Sequence, residues 1–387
     1  MDTISLAHNT NPNGCAPRVR DVLARLAHMD VHRYPRSFYD DRPGPLVARV
    51  ARDFAVDPSL VALALGAGEI LKLAMHLYLR PGETVALPGV AWPQYHVWAG
   101  WARARTVGYP LVERPPEAAS DGVATFAVDV DALLRLRTQV PVRMLLLASP
   151  NNPTGDVFPA ERLGEVLHAY RDAVVILDEA YVGCGDAPPD VTAMPGLTDR
   201  HPNLMRVRTC SKADALAALR IGYAVLGAGL ADFAEFTSRY LGFPEFLEEA
   251  AVAALDDLDH RERVRCGMVH EREQLYRALA PFDQARVYRS HGNFTLVRFS
   301  PDVVAPVRDA LQAARIRFKW LSDPACCARV SLGRPDENAA VRSVLVETLT
   351  RLTVPNGSPA TAAADVGRAG AEVAVALAGA TLSEEHR

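Results

Sequence analysis

Lys212 stands in Arg208-Thr209-Cys210-Ser211-Lys212-Ala213, and Arg220-Ile221-Gly222-Tyr223 begins eight residues further on. Two polar segments lie upstream, Ser149-Pro150-Asn151-Asn152-Pro153-Thr154-Gly155 and Asp178-Glu179-Ala180-Tyr181. Together they offer an amine, a guanidinium, hydroxyls, amides, a carboxylate and a phenol. An amine that is neutral near pH 7 bonds an aldehyde as a Schiff base, and burial or nearby cations lower a lysine's pKa into that range. A guanidinium makes a two-point contact with phosphate. A carboxylate beside a ring nitrogen keeps that nitrogen protonated. This is the polar inventory needed to hold pyridoxal 5′-phosphate.

Each residue suits one part of that cofactor. Lys212 is expected to carry the aldehyde. Asp178, after four apolar residues, suits the ring nitrogen, whose proton makes the ring an electron sink. Tyr181 and Asn152 are expected at the phenolic oxygen. Arg220, Thr209 and Ser211 offer charge and hydroxyls to the phosphate, and Ala67 and Gly68 offer backbone amides at a helix start. A lone lysine is usually a surface residue; the flanking motifs give this one its meaning.

The elements that must position these groups are short apolar strands between helices. Thr84–Leu87, Met144–Ala148, Val174–Leu177, Met205–Val207 and Tyr223–Leu226 read as strands. A helical pattern runs from 44 to 80, with a glycine-rich turn, Gly66-Ala67-Gly68-Glu69, before an apolar helix at 69–79. Ala160–Tyr170 reads as a helix, as does 17–28. Strands alternating with helices imply an α/β sheet covered on both faces. The candidate residues fall just past the strands' carboxyl ends, where open α/β sheets bind ligands. Beyond 250 the pattern changes to one long charged helix at 255–279, strand material at 285–299, a helix at 306–314 opened by its proline, a strand at 329–332 and a helix at 337–352. We expect a large domain at 41–250, a smaller α+β domain from 1–40 and 251–353, and a linker and Ala-rich tail at 354–387, with a helix at 363–380.

At these motifs the chain resembles the class I/II, fold type I, aminotransferases, most closely their histidinol-phosphate branch, whose motifs read near SPNNPTG, DEAY and SKAxxLxxLRIGY. The resemblance runs from about residue 7 to about 350. It implies an α/β fold with a mostly parallel seven-stranded sheet between helices, and a smaller α+β domain. It implies that Trp92 stacks on the pyridine ring, and that Arg329 in Arg329-Val330-Ser331-Leu332-Gly333 grips a substrate carboxylate. Asn293 matches a position near cofactor and substrate. Tyr34 resembles a tyrosine that reaches the neighbouring subunit's phosphate, which implies a homodimer. The implied reaction moves an amino group between an amino acid, or a histidinol-phosphate-like amine, and a 2-oxo acid such as 2-oxoglutarate. The alternative is a decarboxylase resembling threonine-phosphate decarboxylase, or a cyclase or elimination enzyme, on the same fold. A non-catalytic sensor would carry a fused DNA-binding helix-turn-helix, and no such segment is present.

Four departures bear on the substrate. Asn13 replaces a tyrosine that helps hold the substrate phosphate in the histidinol-phosphate enzymes. Asp214 and Ala215 follow Lys212-Ala213 where Phe-Gly is usual. Val182 precedes Gly183-Cys184 in place of an acidic or aromatic pair. Phe318-Lys319-Trp320-Leu321 replaces an arginine-bearing stretch. The cofactor residues remain, while a free amino acid becomes the expected better substrate unless Arg18, Arg36 or Lys319 supplies charge.

Composition fits a globular enzyme. The chain has 387 residues, 49% hydrophobic and 23% charged, with a net charge of −4. It gives no sign of a nucleic-acid or anionic-membrane surface. No apolar run reaches the roughly 18 residues of a membrane span, and the first residues lack a signal peptide's pattern. Six scattered cysteines without a Cys-x-x-Cys pair read as reduced thiols in a cytoplasmic protein. His28 and His32 share a metal-like spacing but sit past a helix end, so no metal site is expected.

Overall fold

In a computed structural model, residues 3–40, 42–116, 123–186, 196–237 and 242–353 are described; the expected linker and tail lie outside them. In chain order the strands are β1 (Ile4–Leu6), β2 (Val61–Ala64), β3 (Thr84–Pro88), β4 (Arg105–Tyr109), β5 (Leu111–Arg114), β6 (Thr125–Val128) and β7 (Val142–Ala148). They continue as β8 (Val174–Asp178), β9 (Leu204–Thr209), β10 (Gly222–Leu226), β11 (Ala285–Tyr288), β12 (Phe294–Phe299), β13 (Ile316–Trp320) and β14 (Cys327–Ser331).

Seven of them form one sheet in the order β2-β10-β9-β8-β7-β3-β4. The five from β9 to β4 are parallel, and β10 is antiparallel to both of its neighbours. Strands β7 and β8 are almost wholly apolar because both of their faces are covered. The helix Ala67–Tyr78 packs on one face. The helices Val130–Gln139 and Ala160–Ala169 pack on the other. At the β2 end, Pro17–Arg25, Pro45–Phe54 and Glu245–Asp256 surround Tyr223, Val225 and Val61. A second sheet, β1-β13-β14-β12-β11, carries its own core with the helices Leu258–Leu279, Pro301–Ala313 and Pro335–Thr353. The ribbon of β5 and β6 docks onto it, as Glu113 pairs with Arg286 and Arg298 and Phe126 packs on Tyr288 at 4.7 Å.

Several expectations need correction. Strand β2 lies inside the stretch read as helical, and β4 was not anticipated. Four residues such as Val61-Ala62-Leu63-Ala64 fit either period, and pairing with β10 decides the matter. The charged helix is two helices. Asp257 ends the first and caps the second, its carboxylate accepting from His260 N–H at 3.2 Å. Pro306 does not open its helix; Pro301 holds that first position behind Ser300, and Pro306 lies inside. The N-terminal segment divides between the two sheets. Strand β1 joins β13 of the small sheet, while Pro17–Arg25 packs beside the large one. The boundary expected at 250 falls within the helix Glu245–Asp256.

Candidate active site

Lys212 follows the carboxyl end of β9 and its side chain is largely shielded. Its Nζ donates to Asn9 O at 3.1 Å and lies 3.4 Å from His8 O. It sits 5.7 Å from the centre of the Tyr181 ring. Burial, then the Arg329 and Arg220 guanidiniums, pull its pKa down to about 8, with Cys184 opposing. Two backbone carbonyls hold the amine, and among the described residues no carboxylate pairs with it. Such an amine reaches its neutral, nucleophilic form near neutral pH.

Asp178 ends β8, buried. Its Oδ2 accepts from Tyr95 Oη at 2.7 Å and its Oδ1 from Ala180 N–H at 3.0 Å. Burial pushes its pKa up, against both donors, and Glu179 adds to the rise. Among the described residues no cation pairs with it. Tyr95 lies one helical turn past Trp92, and their rings meet edge-on at 5.6 Å. Trp92 also meets Trp98 at 5.3 Å and approaches the place where Gly68 would carry a Cβ.

A third group gathers where β9, β10 and the helix Ala67–Tyr78 converge. Thr209 Oγ1 donates to Ile221 O at 2.9 Å, accepts from Ser211 N–H at 3.2 Å and lies 3.0 Å from Ser211 Oγ. Arg220, in a left-handed conformation at φ 55°, places Nη1 3.5 Å from Ser211 Oγ and Nη2 3.3 Å from Leu65 O. Gly66 (φ 90°) precedes the helix, and a Cβ there would fall 2.5 Å from Arg220 Nη2. A Cβ on Gly222 would fall 2.4 Å from the Gly66 carbonyl carbon. Only glycines let the arginine and the helix start share this space. Free helix-start amides, a guanidinium and two hydroxyls form an anion cradle.

On the small-sheet side, Arg329 of β14 donates from Nη1 to Asn152 Oδ1 at 2.7 Å and from Nη2 to Ala7 O at 2.6 Å. Its Nε is buried without a partner, and among the described residues no carboxylate pairs with it. Burial lowers its pKa, a cost that an incoming carboxylate would relieve. Asn152 Nδ2 donates to Tyr181 Oη at 3.3 Å, and burial pushes the Tyr181 pKa up to about 12. Asn293 donates to Asn9 O at 2.9 Å and leaves its own Oδ1 unpartnered.

The model of the aminotransferase class I and II family matches residues 1–366. The chain belongs to that family. It is 32% identical over 350 residues to a histidinol-phosphate aminotransferase of Roseiflexus castenholzii, covering 89% of each chain. Its fold is similar to the crystal structure of histidinol-phosphate aminotransferase from Sinorhizobium meliloti in complex with pyridoxal 5′-phosphate. There the TM-score is 0.75 and the identity 25%, covering 91% of this chain and 92% of that one. The N-succinyldiaminopimelate aminotransferase of Mycobacterium tuberculosis shares the fold at TM-score 0.72 and 22% identity. The chain is a pyridoxal phosphate-dependent aminotransferase, and the decarboxylase or cyclase alternative is not favoured.

The structure brings most of the residues singled out in the sequence close together. Lys212, Tyr181, Asn152, Arg329 and Asn293 form one hydrogen-bonded group through Asn9. Thr209, Ser211 and Arg220 form the cradle beside Gly66, where the helix opens with Ala67 and Gly68. Asp178 and Trp92 meet through Tyr95. The cofactor fits this arrangement: among the described residues no cation pairs with the buried Asp178, which leaves it for a protonated ring nitrogen, and the cradle is shaped by glycines.

Two candidates lie elsewhere. Tyr34 is 50% exposed and packs on Phe38 at 5.4 Å. Asn13 is exposed, bonds Asn11 Oδ1 at 3.0 Å, and lines a cavity of about 350 Å³ with Cys266, Met268, His270 and Glu271. Asn11, two residues earlier, reaches Ala213 O at 2.8 Å.

Sequence reasoning missed three features. Tyr95 stands three residues after Trp92, and that one-turn spacing was its signal. Asn9 stands four residues before Asn13, in Asn9-Thr10-Asn11-Pro12-Asn13-Gly14, with no local mark of its role. Glu179 holds Arg206 Nη2 at 2.7 Å and Arg208 Nε at 3.0 Å, in one buried group under Phe54. Burial alone would raise the Glu179 pKa, but Arg208 and Arg206 bring it below the usual range. Alternate arginines in β9 were its signal. The departure at Asp214 has a structural reason, since Asp214 pairs with Arg261 at 3.1 Å.

Among the described residues, none of the helices is long and apolar enough to cross a membrane, and no group of His, Cys, Asp or Glu is placed to hold a metal ion.

Proposed function

We propose that this aminotransferase moves an amino group between a free amino acid and a 2-oxo acid, with 2-oxoglutarate and glutamate as one pair. The supporting observation is Arg329, a buried guanidinium with an unpartnered Nε and no carboxylate of its own. Two-point recognition of a carboxylate is what this group is built for. Pyridoxal 5′-phosphate supplies an aldehyde that takes up amines and a ring that accepts electrons. Lys212 holds that aldehyde and, once released, moves a proton as its amine. Asp178 keeps the ring nitrogen protonated. Trp92 covers one ring face, and Tyr181 and Asn152 serve the phenolic oxygen. Ala67, Gly68, Thr209, Ser211 and Arg220 hold the phosphate. Asn293 borders the substrate. Two copies of the chain associate, and Tyr34, turned out to solvent on one copy, serves the site of the other.

Arg329→Ala is expected to lower kcat/KM for carboxylate-bearing substrates by about 3 kcal/mol, roughly a hundredfold. Amines without a carboxylate should be spared. If every substrate suffers equally, Arg329 is structural.

A second reading is favoured by one specific observation. Lys319 of β13 stands directly opposite Arg329 of β14, so the two share a face of the small sheet. A second cation there suits a phosphorylated amine such as histidinol phosphate, the substrate named in the relatives. Arg18 is exposed and Arg36 pairs with Glu245, so neither competes for that place. Asn13 argues the other way, since its side chain is spent on Asn11. The deciding measurement is kcat/KM for histidinol phosphate against a panel of free amino acids at fixed 2-oxoglutarate. We expect a free amino acid to win. An advantage of about tenfold for histidinol phosphate, roughly 1.4 kcal/mol, would establish the second reading.

A further inference from the structure

We propose that Asn9 is a positioning residue that aims the Tyr181 hydroxyl proton at the cofactor and receives the Lys212 amine. The inference rests on the reading that Lys212 and Tyr181 serve pyridoxal 5′-phosphate.

Asn9 is buried and left-handed, at φ 53°, a conformation non-glycine residues take rarely and asparagine more readily than most. Every polar group it has is engaged. Its carbonyl accepts from Lys212 Nζ at 3.1 Å and from Asn293 Nδ2 at 2.9 Å. Its N–H donates to Ser331 Oγ at 2.9 Å, and Ser331 Oγ lies 2.7 Å from its Oδ1. Its Nδ2 donates to Tyr181 Oη at 3.0 Å. One residue thus ties the ends of β8 and β9 to β12 and β14.

The directions of these bonds follow from the donors. Ser331 Oγ already accepts from a backbone N–H, so its own proton goes to Asn9 Oδ1, and the Asn9 amide nitrogen is left facing Tyr181. Asn152 is oriented in the same way. Arg329 can only donate, so it fixes Asn152 Oδ1, and Asn152 Nδ2 faces Tyr181. Tyr181 Oη therefore accepts from two amides, which occupy its lone pairs. Its proton must point out of this pair, to where the cofactor's phenolic oxygen is to be placed. The Asn9 carbonyl, fixed by the same left-handed turn, takes the Lys212 ammonium whenever that amine is free and protonated.

A hydrogen-bond donor at the phenolic oxygen weakens its hold on the neighbouring proton, so loss of the donor moves the visible absorption transition of the bound cofactor to higher pH. Asn9→Gly keeps the left-handed backbone and both carbonyl bonds but removes the contact with Tyr181. In cofactor-loaded protein, the midpoint of that transition is expected to rise by about one pH unit, the scale of one charge-assisted hydrogen bond. In a Tyr181→Phe background, Asn9→Gly should add nothing to the shift that Tyr181→Phe already causes. An unchanged midpoint overturns the proposal. So does the same shift in both backgrounds, which would mean that Asn9 acts without Tyr181. Should Asn9→Gly fail to fold, Asn9→Asp is nearly isosteric, and its carboxylate accepts the Tyr181 proton. Its midpoint must also rise, and an unchanged one overturns the proposal. Borohydride labelling separates this role from the site reading. Wild-type protein that fixes the cofactor at a lysine other than Lys212 overturns that reading and this inference with it.

Discussion

Replacing Lys212 with alanine is expected to leave protein that folds, retains no borohydride-fixable cofactor and catalyses no measurable transamination. Folding should survive because the lysine contributes two hydrogen bonds to backbone carbonyls and the burial of a charge, terms that oppose one another. Covalent retention should vanish because the chain has three lysines, and the other two are poorly placed. Lys72 lies on the helix Ala67–Tyr78 on an exposed position, and Lys319 lies on β13. Wild-type protein should yield one labelled peptide, containing Lys212; a labelled Lys72 or Lys319 would sink the assignment. The same residue sets a pH dependence. Its folded pKa is lowered to about 8 by burial, Arg329 and Arg220. The amine is mostly ammonium below that pH and mostly neutral above it. The rate at which apoprotein takes up the cofactor should therefore climb through pH 8 and then level off. A rate still climbing at the pKa of an ordinary lysine, about 10.4, would mean that the amine is not perturbed.

The parts of this site legible in the sequence are those whose chemistry is local. Asp178 follows a short apolar run rich in β-branched residues, which favours a covered strand, and Lys212 and Arg220 sit eight residues apart in one short segment between two strands. Residues whose roles depend on distant partners carry no such mark. Asn9 and Ser331 are 322 residues apart, and nothing in either neighbourhood announces the other. Tyr95 carries no mark of its bond to Asp178 either, because a buried core tyrosine and one so bonded leave the same trace in sequence. Arg206, 1% exposed, contradicts the expectation that arginines stay outside; Glu179, just past the end of the neighbouring strand β8, pairs with it and offsets the cost of its burial. The fold shows the same limit. Strands β7 and β8 are central, continuous and almost wholly apolar, so composition marks them. Strand β4 is an edge strand with exposed residues such as Arg105 and Thr106, and β2 is four residues long. Each becomes a strand through its neighbour rather than through its own pattern.

Asp178→Asn is expected to lower turnover by roughly two to four orders of magnitude, the size of removing one partner from a buried charge pair. In the apoprotein, Asp178 is a buried carboxylate held by Tyr95 and the Ala180 N–H, with no cation paired to it among the described residues. Its pKa is raised by burial. A carboxyl group with a raised folded pKa binds its proton more tightly in the folded state, so its contribution to stability falls as pH rises past the ordinary aspartate value. Near neutral pH it therefore costs the apoprotein free energy, and a protonated ring nitrogen removes that cost on binding. Asparagine carries no charge, keeps one oxygen for these donors and offers the ring nitrogen no anion. Two measurements separate these effects. The apoprotein melting temperature of Asp178→Asn at pH 7 should equal or exceed that of wild type, because the buried charge is gone. The rise in melting temperature on adding pyridoxal 5′-phosphate should be smaller than in wild type, because binding no longer gains the ion pair. A variant with a near-normal rate of proton transfer in a single turnover would refute the role of Asp178. A variant whose apoprotein melts well below wild type would instead show that the carboxylate is a structural anchor for the Tyr95 helix and the turn after β8.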